Sequence, residues 1–371
     1  MIRESAALFL REQCDTAAVR RAMATERGFD DALWGRVAGE MGWSAMHIPE
    51  AFGGLGLGFV ELVALMEEMG KRLLCAPFFS SVCLGASAIL CAGTDAQKAA
   101  LLPRIADGSL RATLAWMDCA GDWRGDSITA RFADGVLDGS YRYVVDGHTA
   151  DLLVVAAGLP GSQGGQGIRL FALPANTPGI TREWLPTMDQ TRKLAALRLE
   201  NVRVDEGLLL GGDTEAWPAL EKALALAAIA LAAEQAGGAQ QVLDMAVEYT
   251  KERHQFGRPI ASFQAIKHKA ADMMLRAEAA RSAVYYAACI ADEALRGGEQ
   301  GAELQQAASL AKAYCSDAYF FNAGSALQMY GGVGFTWEYD PHLYFKRARA
   351  SESMLGTPSQ HRERIAEVLG L

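Results

Sequence analysis

The feature that most limits how this chain can fold is an unbroken apolar run, Ala223 to Ala233, inside an alanine-rich block from Trp217 to Lys251. Alanine has the highest helix propensity, and its small side chain lets neighbouring helices come close. The block therefore predicts one long helix. Apolar residues on two or more of its faces predict burial on more than one side, hence a four-helix bundle with extra packing against another subunit. The run has eleven residues, whereas a bilayer span needs about 18 or more. No membrane partner is expected.

The chain around that helix changes period twice. Residues 1–110 read as a helical domain, with apolar positions at three-to-four spacing through Glu61–Met69 and Gln97–Leu102. The run Phe52–Gly58 does not fit G-x-G-x-x-G and reads as an interhelical turn. From 111 to 212 the period becomes two. Ser127–Phe132, Tyr141–Val145, Leu152–Ala156 and Arg169–Leu173 are short, β-branched or aromatic, and separated by Asp-Gly and Pro-Gly punctuation. They predict a small antiparallel β domain, with Gly161–Gly167 as a hairpin tip between two strands. Residues 213–371 return to helix, with further long helices at about 262–296 and 302–330. The fold class is α+β: helical domain, antiparallel β domain, helical bundle.

Length and charge close off other classes. A chain of 371 residues exceeds a single core and implies two or three domains. With 44 acidic against 35 basic residues the net charge is −9, and no long basic run exists to follow a phosphate backbone, so nucleic acid is not a partner. The seven cysteines are scattered without a C-x-x-C pair or histidines at ligand spacing, which predicts reduced thiols, no metal site and a cytoplasmic location. Arg3, Glu4 and Arg11 interrupt the start of the chain where a signal peptide would carry an apolar core.

Short motifs fall at particular places in this order. Arg253-His254-Gln255-Phe256-Gly257-Arg258-Pro259-Ile260 lies between the first two bundle helices, Gln328-Met329-Tyr330-Gly331-Gly332 ends the third, and Gly356-Thr357 stands near the C-terminus. Together they resemble the acyl-CoA dehydrogenase family over nearly the whole chain. The resemblance implies FAD as cofactor and an acyl-CoA thioester as substrate. A guanidinium such as that of Arg253 gives a pyrophosphate charge-assisted, bidentate hydrogen bonds. Phe256 offers a flat apolar surface, Gln328 an amide for the adenosine part, and Gly331 and Gly332 a backbone that a cofactor can approach without a Cβ in the way. In the family these positions serve the flavin of a neighbouring subunit.

The family reaction removes a proton α to the thioester and passes a hydride from the β carbon to the flavin, and the first step needs a carboxylate base. The resemblance puts that base immediately before Gly-Thr, where this chain has Leu355. Other members carry it on the first bundle helix, 26 residues before the arginine, where this chain has Ala227. Neither side chain accepts a proton. Glu234 is the weak substitute, about 10.5 Å further along the helix. Its plainer reading is a carboxylate paired within the bundle, and Glu338 likewise reads as a partner of Arg347 or Lys346.

The flavin-facing part of the β domain has drifted as well. Where the family shows Ser/Thr-Glu-Pro and then Gly-Ser-Asp, this chain has Trp116-Met117-Asp118-Cys119-Ala120-Gly121-Asp122; where it shows Trp-Ile-Thr-Asn-Gly, this chain has Tyr143-Val144-Val145-Asp146-Gly147. Trp116, Met117, Tyr143 and Thr357 are the weaker cofactor contacts, and Asp118 and Asp122 read as a solvated turn. What survives is the set that acts on a neighbour's FAD; what has eroded is the set that would act on the chain's own. The pattern implies a heteromeric dehydrogenase, α2β2, with a second acyl-CoA dehydrogenase subunit supplying the base and an electron-transfer acceptor downstream. Steroid side-chain CoA thioesters and dicarboxylic, pimeloyl-type ones are the two substrate classes it suggests. A homotetramer with a relocated base and a non-catalytic scaffold that binds acyl-CoA or protein are the competing readings. Arg111, Arg124, Arg131 and Lys251 are the cations available to CoA phosphates, and alanines 223–233 either leave room for a bulky acyl group or serve close helix packing.

Overall fold

The structure, a computed structural model, describes residues 2–118, 125–297 and 301–371. It begins with α1 (Ile2–Gln13), α2 (Thr16–Met23) and α3 (Asp31–Gly35), the last started by Asp30, whose carboxylate accepts from Leu33 N. The glycine run then carries the chain into α4 (Phe59–Lys71). A Cβ on Gly54 would lie 1.9 Å from the Ile48 carbonyl oxygen, so the turn closes only because that position is glycine. A π-helical stretch, Phe79–Ala86, leads into α5 (Ser87–Ala92). α6 (Asp95–Ala106) follows, opened by a capping box in which Thr94 and Gln97 satisfy each other's backbone N–H.

Among the described residues eight strands form the central sheet: β1 (Ala112–Ala115), β2 (Arg131–Ala133), β3 (Val136–Val145), β4 (Leu152–Gln163), β5 (Gln166–Pro174), β6 (Ile180–Leu185), β7 (Leu194–Arg203) and β8 (Leu209–Leu210). The order is β6-β7-β3-β2-β4-β5-β8, with β1 beside β4. Most pairs are antiparallel. Two are not: β1 runs parallel to β4, and β2 meets β4 in parallel at Arg131 and Gly158. β2 is also shorter than the period of two suggests, because Gly125–Ser127 winds as a 3-10 turn before it. The inward face buries Leu137, Tyr141, Leu153, Val155, Phe171, Leu197 and Val202. Each such apolar side chain contributes about 1.5–3 kcal/mol by leaving water. The one hydroxyl among those seven, on Tyr141, donates to Ala156 O at 2.9 Å.

The predicted long helix is α7 (Trp217–Glu252), followed by the short strands β9 (His254–Gln255) and β10 (Arg258–Pro259), α8 (Gln264–Leu295), α9 (Gly301–Tyr330), α10 (Pro341–Ser353) and α11 (Pro358–Val368). Every residue of 223–233 is at most 2% exposed, so the alanines serve packing. A Cβ on Gly70 would come within 2.0 Å of Glu234 O, and one on Gly237 within 1.9 Å of Glu67 O. α4 and α7 therefore cross backbone to backbone. The Asn322 amide of α9 donates to Ala239 O at 3.1 Å and Met273 O at 3.0 Å, tying α7, α8 and α9 together.

The chain forms two compact units: Met1–Arg21, Phe59–Leu74 and Ala228–Leu371 make one, and Ala22–Gly58 with Cys75–Ala227 the other. Among the described residues no helix is long and apolar enough to cross a membrane.

Candidate functional site

In the helical unit, Arg253 leaves the end of α7 with its N–H still bonded to Tyr249 O at 2.9 Å. β9 and β10 then form a hairpin closed by Phe256 and Gly257 at φ 55° and 77°. Two consecutive left-handed residues make the tight turn whose twist suits a hairpin, and at the first a glycine would be easier than phenylalanine. Phe256 is nevertheless there, and it is 90% exposed. Arg253 is exposed as well. Arg258 lies over Phe263, 4.1 Å from the ring centre, and turns back onto its own hairpin.

At the end of α9, Gln328 is exposed and Gly331 turns the chain at φ 65°. Nothing lies within 4 Å of where a Cβ would stand on Gly331 or Gly332. The hairpin root and this turn are joined by Tyr249, which stacks on Tyr330 with ring centres 4.0 Å apart.

Leu355 and Gly356 form a tight corner between α10 and α11. Leu355 is 1% exposed and holds φ 58°; Gly356 holds φ 100°. Two buried side chains grip the corner from behind. Lys312 Nζ donates to Gly356 O and Glu352 O, each at 3.1 Å, and to Ser316 Oγ at 2.9 Å. His361 Nε2 donates to Leu355 O at 2.9 Å while Nδ1 faces Ser309 Oγ at 3.2 Å, which fixes the tautomer. Burial pushes Lys312 down to about 7, and burial together with the Lys312 charge pushes His361 down to about 3. Thr357 caps α11, its hydroxyl accepting from Gln360 N at 3.3 Å.

Glu234 Oε1 and Arg347 Nη1 pair at 2.8 Å inside the bundle. Glu338, expected to pair with Arg347 or Lys346, is instead exposed, with Thr336 hydrogen bonding holding its carboxyl below the usual range. Arg347 is taken by Glu234, and Lys346 lies 4.7 Å over the Trp337 ring.

The sheet unit brings the two drifted segments together. Pairing of β3 with β7 slips by one residue between Tyr141 and Val144, a bulge that puts Tyr143 at φ 59° and leaves it 44% exposed. At that bulge Arg142 N donates to Met117 O at 3.1 Å, so Met117 and Tyr143 become neighbours. Asp146 is anchored by Ser80 Oγ at 2.6 Å and by its own N–H to Lys193 O at 2.9 Å. Trp116 is 6% exposed, and its Nε1 meets no acceptor among the described residues. Asp118 accepts from Thr129 Oγ1 at 3.0 Å, while Cys119–Arg124, including Asp122, lie outside the described residues. Arg111 is held by Asp151 at 2.9 and 2.8 Å, and Arg131 by Ile128 O at 2.8 Å, so two of the expected CoA-binding cations are committed elsewhere. Lys251 is exposed on the last turn of α7.

A flavin fits these residues on physical grounds. In the sheet unit a buried indole donor with no acceptor among the described residues stands in the segment expected to face the ring; in the helical unit open space stands over the two glycines expected to let the cofactor approach the backbone. Sequence reasoning missed Lys312, His361 and the tyrosine pair. Each is a lone polar or aromatic residue in a helical stretch, and no local spacing gives its partner away.

Comparison with known proteins shows which family the sequence matches. The profile of the acyl-CoA dehydrogenase N-terminal domain matches residues 1–109, and that of the C-terminal domain matches residues 216–370. The acyl-CoA dehydrogenase IpdE2 of Mycobacterium tuberculosis is 34% identical over 98% of this chain and 95% of its own length. Among solved structures, the Tcur3481-Tcur3483 steroid ACAD is 30% identical with a TM-score of 0.85, covering all of this chain and 96% of that one. The ChsE4-ChsE5 complex from Mycobacterium tuberculosis is 25% identical with a TM-score of 0.87, again over all of this chain and 96% of the other.

Proposed function

This chain belongs to the acyl-CoA dehydrogenase family, and we propose that it is the subunit of a heteromeric enzyme that lacks the base and lends flavin-binding residues to its partner. FAD is the cofactor, and when bound it takes up the hydride that leaves the substrate's β carbon. The chain's own residues bind and orient. Arg253 meets the pyrophosphate with a planar fork of donors, Phe256 covers an apolar part of the cofactor, and Gln328 with Gly331 and Gly332 receives the adenosine side.

The observation that carries this reading is a contrast in exposure. Arg253, Phe256, Gln328, Gly331 and Gly332 are all turned to the outside of the chain, whereas the two base positions hold Leu355 and Ala227, 1% and 0% exposed. A proton leaving the α carbon needs a carboxylate or similar acceptor, and neither side chain has one. Glu234 does not fill the gap, because its carboxylate is bound to Arg347. The base therefore comes from the partner. The likeness to a steroid ACAD and to a two-component ChsE4-ChsE5 complex supports a heteromer acting on a bulky, steroid-type CoA thioester.

The test is to purify the chain alone and together with a second acyl-CoA dehydrogenase subunit that carries the glutamate, and to count FAD per chain. The mixed complex should hold FAD at less than one per chain and turn over, and the lone chain should hold none. One FAD per chain with turnover in the isolated protein overturns the proposal.

A further inference from the structure

The two cofactor-facing pieces of the helical unit sit at the ends of different helices. The Arg253 hairpin follows α7 and the Gly331–Gly332 turn follows α9. To grip one ligand together they must be held at a fixed spacing, and hydrogen bonds within each helix cannot set the distance between two helix ends.

Three tyrosines span that gap. Tyr249, one turn before Arg253, stacks on Tyr330, the residue before Gly331, with ring centres 4.0 Å apart and planes 12° from parallel. Their hydroxyls reach in opposite directions: Tyr249 OH donates to Tyr330 O at 3.4 Å, and Tyr330 OH donates to Met245 O at 3.2 Å, a turn further back on α7. Each ring thus bonds to the backbone of the other helix. Tyr339 stands edge-on to both rings, 6.1 Å from Tyr249 and 5.7 Å from Tyr330. Its own backbone is fixed in turn. Arg20 Nη2 donates to Tyr339 O at 3.1 Å and to Asp340 Oδ1 at 2.8 Å, and Thr16 Oγ1 donates to Asp340 Oδ2 at 2.7 Å.

The covalent path from this cluster to the cofactor-facing residues is short on both sides. Tyr249 O receives the Arg253 N–H at 2.9 Å, and Arg253 O receives the Ile260 N–H at 2.8 Å, which closes the hairpin root. On the other side Gly331 follows Tyr330 directly and turns at φ 65°. A shift of the stack moves both pieces at once.

We infer that Tyr249, Tyr330 and Tyr339 are positioning residues: they set the spacing between the Arg253 hairpin and the Gly331–Gly332 turn, and through it the grip on the flavin of the adjacent subunit. The inference rests on the heteromer reading proposed above. Stacking does the spacing and the two hydroxyls fix the register, so the two contributions separate by substitution.

The experiment compares wild type, Tyr249→Phe, Tyr249→Leu and Arg253→Ala. Amide exchange over 253–260 and 331–336 is read on the chain alone; assembled mass and the FAD dissociation constant are read on the mixed complex. Tyr249→Leu should exchange faster in both segments and bind FAD about tenfold more weakly at unchanged mass. Tyr249→Phe, which keeps the stack, should fall between it and wild type. Arg253→Ala should weaken FAD binding with exchange unchanged. Wild-type FAD binding by Tyr249→Leu alongside a weakened Arg253→Ala overturns the clamp and leaves the heteromer reading standing. Wild-type binding by both overturns the heteromer reading and the clamp's role with it. Should Tyr249→Leu fail to fold, Tyr339→Leu, which removes only the edge-on ring, must show the same pattern on a smaller scale, and wild-type behaviour there overturns the clamp.

Discussion

Arg347 and Glu234 close a 2.8 Å ion pair whose side chains are 2% and 6% exposed, deep in the helical unit. Removing one member of a buried pair leaves the other charged and unpartnered, which costs about 3–5 kcal/mol. Glu234→Gln should therefore lower the unfolding midpoint clearly and leave turnover of the folded complex near wild type. Paired measurement of thermal unfolding and initial rate checks this. Near-complete loss of turnover in a fully stable variant would instead make Glu234 the base.

Leu355 poses a different trade. Its buried side chain stabilises the corner, but φ 58° disfavours any residue with a Cβ by about 1–2 kcal/mol. Leu355→Ala loses the apolar contacts and keeps the strain; Leu355→Gly loses the contacts and releases it. The glycine variant should be the more stable of the two by about 1 kcal/mol, against the usual helix-and-sheet ranking. Denaturant unfolding of both decides it.

Acid should unfold this protein through its buried imidazoles. Burial holds His47 down at about 4, and burial with the Lys312 charge holds His361 down at about 3, against 6.5 in the unfolded chain. Between those values the unfolded state binds protons that the folded state refuses, so stability falls as pH drops below about 6.5. His361→Gln, whose amide N–H replaces the Nε2 donor, should show a shallower loss between pH 6.5 and 4.

Lys312 gives the complementary slope at the other end. Its folded value, lowered by burial to about 7, lies below the unfolded 10.5, so from about pH 7 upward the unfolded chain again carries the extra proton. Stability from this group rises with pH through that window. Lys312→Met should remove the rise, seen as a flatter dependence between pH 7 and 9.

Glycines separate folding from binding. Gly70→Ala and Gly237→Ala put a Cβ about 2 Å from a carbonyl oxygen of the facing helix, and overpacking of that kind costs about 1–3 kcal/mol or more. Gly332→Ala meets nothing within 4 Å. It should leave the unfolding midpoint of the chain unchanged and weaken FAD binding only in the mixed complex.

The long helices were legible because propensity and pattern agreed. Between Trp217 and Glu252 the one proline, Pro218, falls in the first turn where a helix tolerates it, alanine outweighs the Gly237-Gly238 pair, and helices expected at 262–296 and 302–330 form at Gln264–Leu295 and Gly301–Tyr330. The Tyr143 bulge was not legible, since it comes from how β3 registers on β7 and no glycine marks it. Nor were the parallel pairs of β4, which depend on long-range topology. Leu355 and Ala227 could be named from the resemblance, but Lys312 and His361 could not: their partners are backbone carbonyls of the corner, which carry no side-chain identity to read.

Phe256 crowns a two-residue turn at 90% exposure, and Phe335 and Trp337 of the same unit stand 68% and 60% exposed. An unassembled copy thus shows largely exposed aromatic rings to the solvent. Such rings adhere to one another and to any holdase that samples apolar surface. Under the heteromer proposed above, synthesis of this chain would be matched to that of its companion, and an overproduced orphan should be recovered as aggregate unless the companion is made beside it.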